Sequence, residues 1–212
     1  GHITVFDPVT FEKTGIIDLD GHKSEKMVQL GRFVYVTSWL FDNCILVIDT
    51  EADSLVAKIE VPYQPKDIVA DSSGKLWVLS DGGFENSGEE PDKPSLSRID
   101  PQTNTVEQLF RFEEGTWPSS LSINGAGDTL YYINGGVYKM GVVSPGLPQS
   151  PFILSNGAIF YSMAVNPAND EVYVADAIDF SQSGLIMRYT QSGELIDSFK
   201  AGVNPADFVF KK

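Results

Sequence analysis

The sequence predicts an all-β protein, a β-propeller of four-stranded antiparallel blades. Three observations carry that expectation. Apolar or alternating runs of strand length recur along the chain, rich in Val, Ile, Tyr and Phe and bounded by Gly, Asp, Asn and Ser. No stretch keeps a 3.6-residue period over a dozen positions, so almost no helix is expected. The chain also repeats itself: in the block 33–83, KLWVLSD (75–81) is a second copy of FVYVTSW (33–39). A period of about 40–50 residues with four strands per unit is what propeller blades require, whereas a sandwich or barrel has no need for successive units to resemble one another.

Taken in order, ITVFD (3–7) and TGIIDL (14–19) form a first pair of strands. MVQL (27–30), FVYVTSW, CILVIDT (44–50) and SLVAKIEV (54–61) make the first full block. DIVAD (67–71), KLWVLSD, LSRID (96–100) and TVEQLFRF (105–112) make the next. SSLSI (119–123), TLYYIN (129–134), VYKMGV (137–142) and PFIL (151–154) follow, then YSMAVN (161–166), EVYVAD (171–176), LIMRY (185–189) and ELIDSF (194–199). ADFVF (206–210) is a last strand after a turn at Gly-Val-Asn-Pro. Asp7, Asp49 and Asp100 mark the same turn in successive blocks, and Thr190 takes that place in the last full one. A carboxylate there accepts backbone N–H bonds of the turn it opens, so these aspartates are read as structural.

Composition narrows the function classes. A net charge of −14 repels phosphate backbones, so nucleic acid is not an expected partner. Apolar runs are far shorter than the roughly 20 residues that span a bilayer. The single cysteine, Cys44, can form no intrachain disulfide and no cysteine cluster; it lies in a buried-looking strand and reads as a core thiol without a histidine near it. The only histidines are His2 and His22, which excludes a multi-histidine metal site. No nucleophile elbow, P-loop or paired-cysteine motif occurs. The acidic run Glu85–Asp92 carries oxygen ligands of the type Ca²⁺ takes but lacks a matched spacing, and reads as a solvated loop. No catalytic residue, metal or cofactor is therefore expected.

From Val34 to Gly82 the sequence resembles the YVTN-type β-propeller repeat. Tyr35-Val36-Thr37 stands at the motif of its name, VIDT (47–50) matches its turn strand, and PKDIVADSSGKLWV (65–78) matches its following segment. The resemblance covers most of the chain and weakens at Gly141–Ser144, where the turn aspartate is missing. The closing GVNPADFVF resembles the end of surface-layer-like propeller lipoproteins of gut bacteria, a group of unknown function related to surface vitamin B12-binding lipoproteins. This resemblance implies an exported protein of the cell envelope, on the outer-membrane surface or in the periplasm, with a possible lipid anchor upstream.

The expected organisation is one propeller domain over 1–212. Its blade parts are 1–20 together with 205–212, then 24–61, 66–112, 118–154 and 160–199. That makes about five blades, with one strand missing from the blade shared by the two ends. The chain begins inside a strand, so it reads as the C-terminal part of a larger propeller, seven-bladed as the family resemblance implies, whose start is processed, truncated or a cloning remnant.

Candidate binding residues come from the connections. Turns between first and second and between third and fourth strands are tight and polar. The other connections are longer and aromatic, and bring Trp39, Phe41, Asp42, Asn43, Tyr63, Gln64, Phe84, Trp117, Tyr161 and Phe180 to one face. Rings on loops either pack on one another or stack on a ligand or partner. Three functions remain open. The first is capture of a small-molecule ligand, cobalamin being the class the resemblance implies. The second is docking of an envelope protein as an interaction or surface-layer scaffold. The third is an enzyme such as a Ca²⁺-dependent lactonase or a quinone-dependent dehydrogenase.

Overall fold

The computed structural model describes residues 1–83 and 92–211. Every described regular element is a strand, and every sheet is antiparallel. The residues divide into two compact units, Gly1–Ala70 with Gly74–Glu114, and Asp71–Ser73 with Gly115–Lys212.

The first unit holds three sheets. β1 (His2–Phe6) pairs with β2 (Lys13–Asp18) alone. β3 (Met27–Leu30), β4 (Phe33–Ser38), β5 (Cys44–Asp49) and β6 (Ser54–Glu60) form a meander in that order, as do β7 (Pro65–Ala70), β8 (Leu76–Ser80), β9 (Ser95–Asp100) and β10 (Thr105–Arg111). Alternation along the middle strands explains the stacking. Val36, Leu46 and Ile48 point to one side of their sheet and pack on Ile17 and Leu19. Tyr35, Ile45 and Val47 point to the other side and pack on Ile68, Leu76, Val78 and Ile99 of the next sheet. A sheet covered on both faces needs apolar residues at every position of its middle strands, and all six residues of β5 are buried. The outer strand β10 has only one face covered and alternates exposed with half-buried. Face-to-face stacking of four-stranded meanders in chain order is the blade arrangement of a β-propeller.

The second unit holds β11 (Ser119–Ile123), β12 (Thr129–Ile133) and β13 (Val137–Gly141) in one sheet. The other is β14 (Phe160–Val165), β15 (Val172–Asp176), β16 (Ser183–Tyr189) and β17 (Leu195–Val203). Tyr131, Ile133 and Val137 of the first meet Met163, Val165, Val172 and Val174 of the second.

Two expected strands are corrected. The segment 151–154 makes a single bridge, Val137 to Ile153, so its sheet has three strands. Pro148 and Pro151 remove amide donors from the approach, and the crossing chain passes so close to Gly136 that a Cβ there would sit 2.8 Å from the Ile153 carbonyl oxygen. The segment 206–210 is not a strand, and β1–β2 remains a two-stranded sheet. The tail is held by side chains instead: Phe208 and Phe210 lie 6.2 and 5.1 Å, centroid to centroid, from the Tyr173 ring, and Ser162 Oγ donates to the Pro205 carbonyl at 2.7 Å.

The turn markers behave as read. Asp7 Oδ1 accepts from the amides of Val9 and Thr10, both at 2.8 Å. Asp49 Oδ1 accepts from Glu51 N at 2.9 Å, and Asp100 Oδ1 from Gln102 N at 2.8 Å. Thr190 Oγ1 does the same for Ser192 and Glu194.

Candidate functional site

Three connections of the first unit meet: the β4–β5 loop (39–43), the β6–β7 link (61–64) and the segment leaving β8 (81–83). Their backbones are laced together. Val61 N donates to the Asn43 carbonyl and Gln64 N to the Asp42 carbonyl, each at 2.8 Å. Asp81 N donates to the Gln64 carbonyl at 3.1 Å and Gly82 N to the Tyr63 carbonyl at 3.2 Å. Side chains add to this. Trp39 Nε1 donates to Asp81 Oδ2 at 2.7 Å, and the Lys66 ammonium lies 5.6 Å from the Trp39 ring centre. Such a lattice fixes rings that a free loop would leave mobile.

Asp42 is the hub. Its Oδ2 accepts from Ser38 Oγ at 2.6 Å and lies 2.5 Å from His22 Nδ1; its Oδ1 accepts from Asn43 N at 2.8 Å. Burial raises its pKa, but the hydrogen bonds from His22, Ser38 and the Asn43 amide outweigh that, so the carboxyl is held below its ordinary value. Cys44, reached two residues later at the start of β5, places Sγ 3.6 Å from His22 Nδ1 and 3.5 Å from Asp42 Oδ1. The sequence reading left Cys44 without a neighbouring histidine, and the structure supplies one: the turn after β2 carries His22 back over β4. Burial pushes the Cys44 thiol up to about 12, with the Asp42 charge adding to the rise. A nucleophilic relay would need the thiol on one ring nitrogen and the carboxylate on the other. Here both address Nδ1, and the thiol is not activated.

Beside this lattice lies an open cleft of about 440 Å³. Asn43, Val61 and Tyr63 line one side, and Val106, Leu109 and Arg111 of β10 line the other. Arg111 Nη1 is steadied by Asp92 Oδ2 at 2.6 Å. The volume falls in the range of small-molecule sites.

Left-handed backbone occurs in these connections as well as in turns elsewhere in the chain. Phe41 has φ 61° and is 53% exposed; Gln64 has φ 57°. In the second unit, Ile178 (φ 59°) and Phe180 (φ 62°, 49% exposed) occupy the loop after β15. Phe11, in the β1–β2 turn, also has positive φ. Such conformations cost about 1–3 kcal/mol at residues other than glycine, asparagine and aspartate. The β15–β16 loop is tied by its own carboxylate: Asp179 accepts from the Gln182 and Ser181 amides, which hold it down to about 2.

The candidate residues thus fall in two groups. Trp39, Phe41, Asp42, Asn43, Tyr63 and Gln64 belong to the first unit and are brought together. Gln64, expected as a surface donor, is fully buried, and neither polar atom of its side-chain amide has a hydrogen-bond partner among the described residues; the Tyr63 hydroxyl is likewise buried without one among them. In the second unit, Tyr161 and Phe180 stack edge to face at 5.7 Å, and Trp117 is 64% exposed. Phe84 and most of the acidic run lie outside the described residues. His22 and Ser38 were missed, because each meets Asp42 only through the fold.

The fold is shared with solved proteins of low sequence identity. Hydrazine synthase of Kuenenia stuttgartiensis matches with a TM-score of 0.65 at 14% identity, over 81% of this chain and 47% of that one. A quinoprotein alcohol dehydrogenase-like protein of Bacteroides thetaiotaomicron matches at 0.62 and 14%, over 83% and 45%. A luciferin-regenerating enzyme matches at 0.60 and 14%, over 92% and 67%. The chain spans about half the length of the first two. At this identity the likeness is one of fold alone. No curated protein matches the sequence. A family match does cover residues 1–211, nearly the whole chain, and by it the chain belongs to the family described as domain of unknown function DUF5074.

Proposed function

We propose that this propeller is a non-catalytic binding protein of the bacterial cell envelope, which captures a ligand on its aromatic loops. One observation carries the reading. Phe41 and Phe180, in loops that follow the second strand of two different blades, both combine a left-handed backbone with a half-exposed ring. Strain and exposure are each unfavourable for folding, so their pairing is best accounted for by a use outside the folded chain. Cobalamin is the ligand class suggested by the likeness to surface vitamin B12-binding lipoproteins. A flat corrin suits Trp39 and Phe41, and its amide rim suits Asn43 and the Tyr63 side of the cleft.

Calorimetric titration with cyanocobalamin tests this. Micromolar or tighter binding is expected, weakened at least tenfold in Phe41→Ala, on the scale of a binding hot spot. Absence of heat at high micromolar ligand would reject cobalamin. A docked envelope or surface-layer protein is the second reading, favoured by the 64% exposure of Trp117, a ring too open to enclose a small molecule. Capture of one envelope protein that is lost in Trp117→Ala would select it.

A further inference from the structure

We infer that His22, Asp42 and Cys44 form a binding site for a divalent transition metal of the zinc type, with one coordination position open to solvent. The proposal stands on donor geometry and is independent of the cobalamin reading. The three side chains come from three places in the chain: the turn after β2, the β4–β5 loop and the first residue of β5. One donor atom from each lies within 4.8 Å of the others. The thiol Sγ is 3.6 Å from His22 Nδ1 and 3.5 Å from Asp42 Oδ1. Zinc bonds of about 2.3 Å to sulfur and about 2.0–2.2 Å to nitrogen and oxygen, at tetrahedral angles, place sulfur about 3.6 Å from each of the other two donors. The two separations already match those edges.

The surroundings fit the same use. Asp42 can bind through Oδ1 while Oδ2 gives up its contact with His22 Nδ1 and keeps its hydrogen bond from Ser38 Oγ, the kind of outer contact that orients a metal-bound carboxylate. Ser38 Oγ in turn accepts from Lys23 N at 3.2 Å, so the orienting group is itself fixed. A thiolate, a carboxylate and a neutral imidazole carry two negative charges, which a divalent cation balances. Thiolate with imidazole favours zinc over calcium or magnesium, which take oxygen sets. Cys44 is 6% exposed, while the His22 and Asp42 side chains are 23% and 17% exposed, which leaves an entry path on the imidazole side. The thiol and the carboxylate both approach His22 from its Nδ1 side, so one ion placed there can meet a donor from each of the three residues.

The test is titration of the full untagged chain with Co²⁺ as a spectroscopic probe and then with Zn²⁺ as competitor. The expected result is one equivalent of Co²⁺ giving a thiolate-to-cobalt charge-transfer band and tetrahedral ligand-field bands, displaced by Zn²⁺. Cys44→Ser abolishes the charge-transfer band, and His22→Ala weakens Zn²⁺ binding at least a hundredfold with the fold intact by circular dichroism. His2→Ala binds as the parent does. Absence of the band in the folded parent overturns the proposal, as does Zn²⁺ binding that survives both Cys44→Ser and His22→Ala but is lost in His2→Ala. Because His22→Ala alters a loop side chain that still reaches solvent, the test holds even where Cys44→Ser fails to fold. Cyanocobalamin binding by His22→Ala separates this site from the ligand site proposed above.

Discussion

Two kinds of connection join the strands of the first unit, and both depend on aspartate. In the tight turns the carboxylate serves the residues just after it: Asp49 reaches the amides of Glu51 and Ala52, and Asp100 reaches Gln102. In the lattice of loops it reaches across the chain. Asp42 meets His22, 20 residues away, and Asp81 meets Trp39, 42 residues away. The first use closes a turn and adds an ion pair within the same sheet, Asp49 with Arg32 and Asp100 with Lys75. The second fixes the relative places of segments that contribute different chemistry. One residue type thus makes a hinge between strands in one place and a positioned site in another, and the long-range partner tells the two apart: a cation of the same sheet for the turns, an imidazole or an indole from another connection for the lattice.

The comparison can be broken most directly at its hub. Asp42→Ala removes the acceptor for Ser38 Oγ, Asn43 N and His22, and is expected to cost about 2–3 kcal/mol in urea unfolding. Asp100→Ala, in a turn, is expected to cost clearly less; equal losses would abolish the distinction. Trp39→Phe keeps a ring and removes only the Nε1 bond to Asp81, so the expected loss is about 1 kcal/mol. An unchanged unfolding midpoint would mean the loops are held by their backbone bonds alone.

The smallest effect is sharpened by acid. The Arg32 guanidinium beside Asp49, helped by the Glu51 and Ala52 amides, holds that carboxyl down to about 2. A carboxyl depressed by folding adds stability above its unfolded value of about 3.9 and loses it as the pH falls through the folded one. The Arg32–Asp49 contribution should therefore persist at pH 5 and fade between about 4 and 2. Comparing the acid unfolding of Arg32→Gln with the parent reads this difference, which should vanish near pH 2.

Local features of the fold were legible in the sequence, and non-local ones were not. The repeated runs, the turn aspartates and the aromatic loops could be read because each depends on neighbours within a few residues. PFIL and ADFVF are apolar runs of strand length, yet an apolar run says nothing about whether a partner edge is available. Prolines 148 and 151 disrupt the first, and ring contacts with Tyr173 hold the second. The candidate site was visible as loop composition but not as geometry. Asp42 and Cys44 share a face at the mouth of β5, a spacing that could have prompted a search for a third donor, whereas nothing local points to His22. Gln64 was misplaced because its left-handed backbone, set between Pro62 and Pro65, turns the amide inward.

The last strand of the second unit has a consequence for solubility. β17 is the edge of its sheet, nine residues long and exposed at nearly every position, with Leu195, Ile196 and Phe199 facing water. An apolar edge of that length is a template for strand addition by another chain. Asp197, paired with Arg188 at 2.9 Å, and Lys200 set charges into the run, and Gly202 ends it with a weak strand former. Charges and a glycine set into an open sheet margin are features that oppose strand addition by another chain.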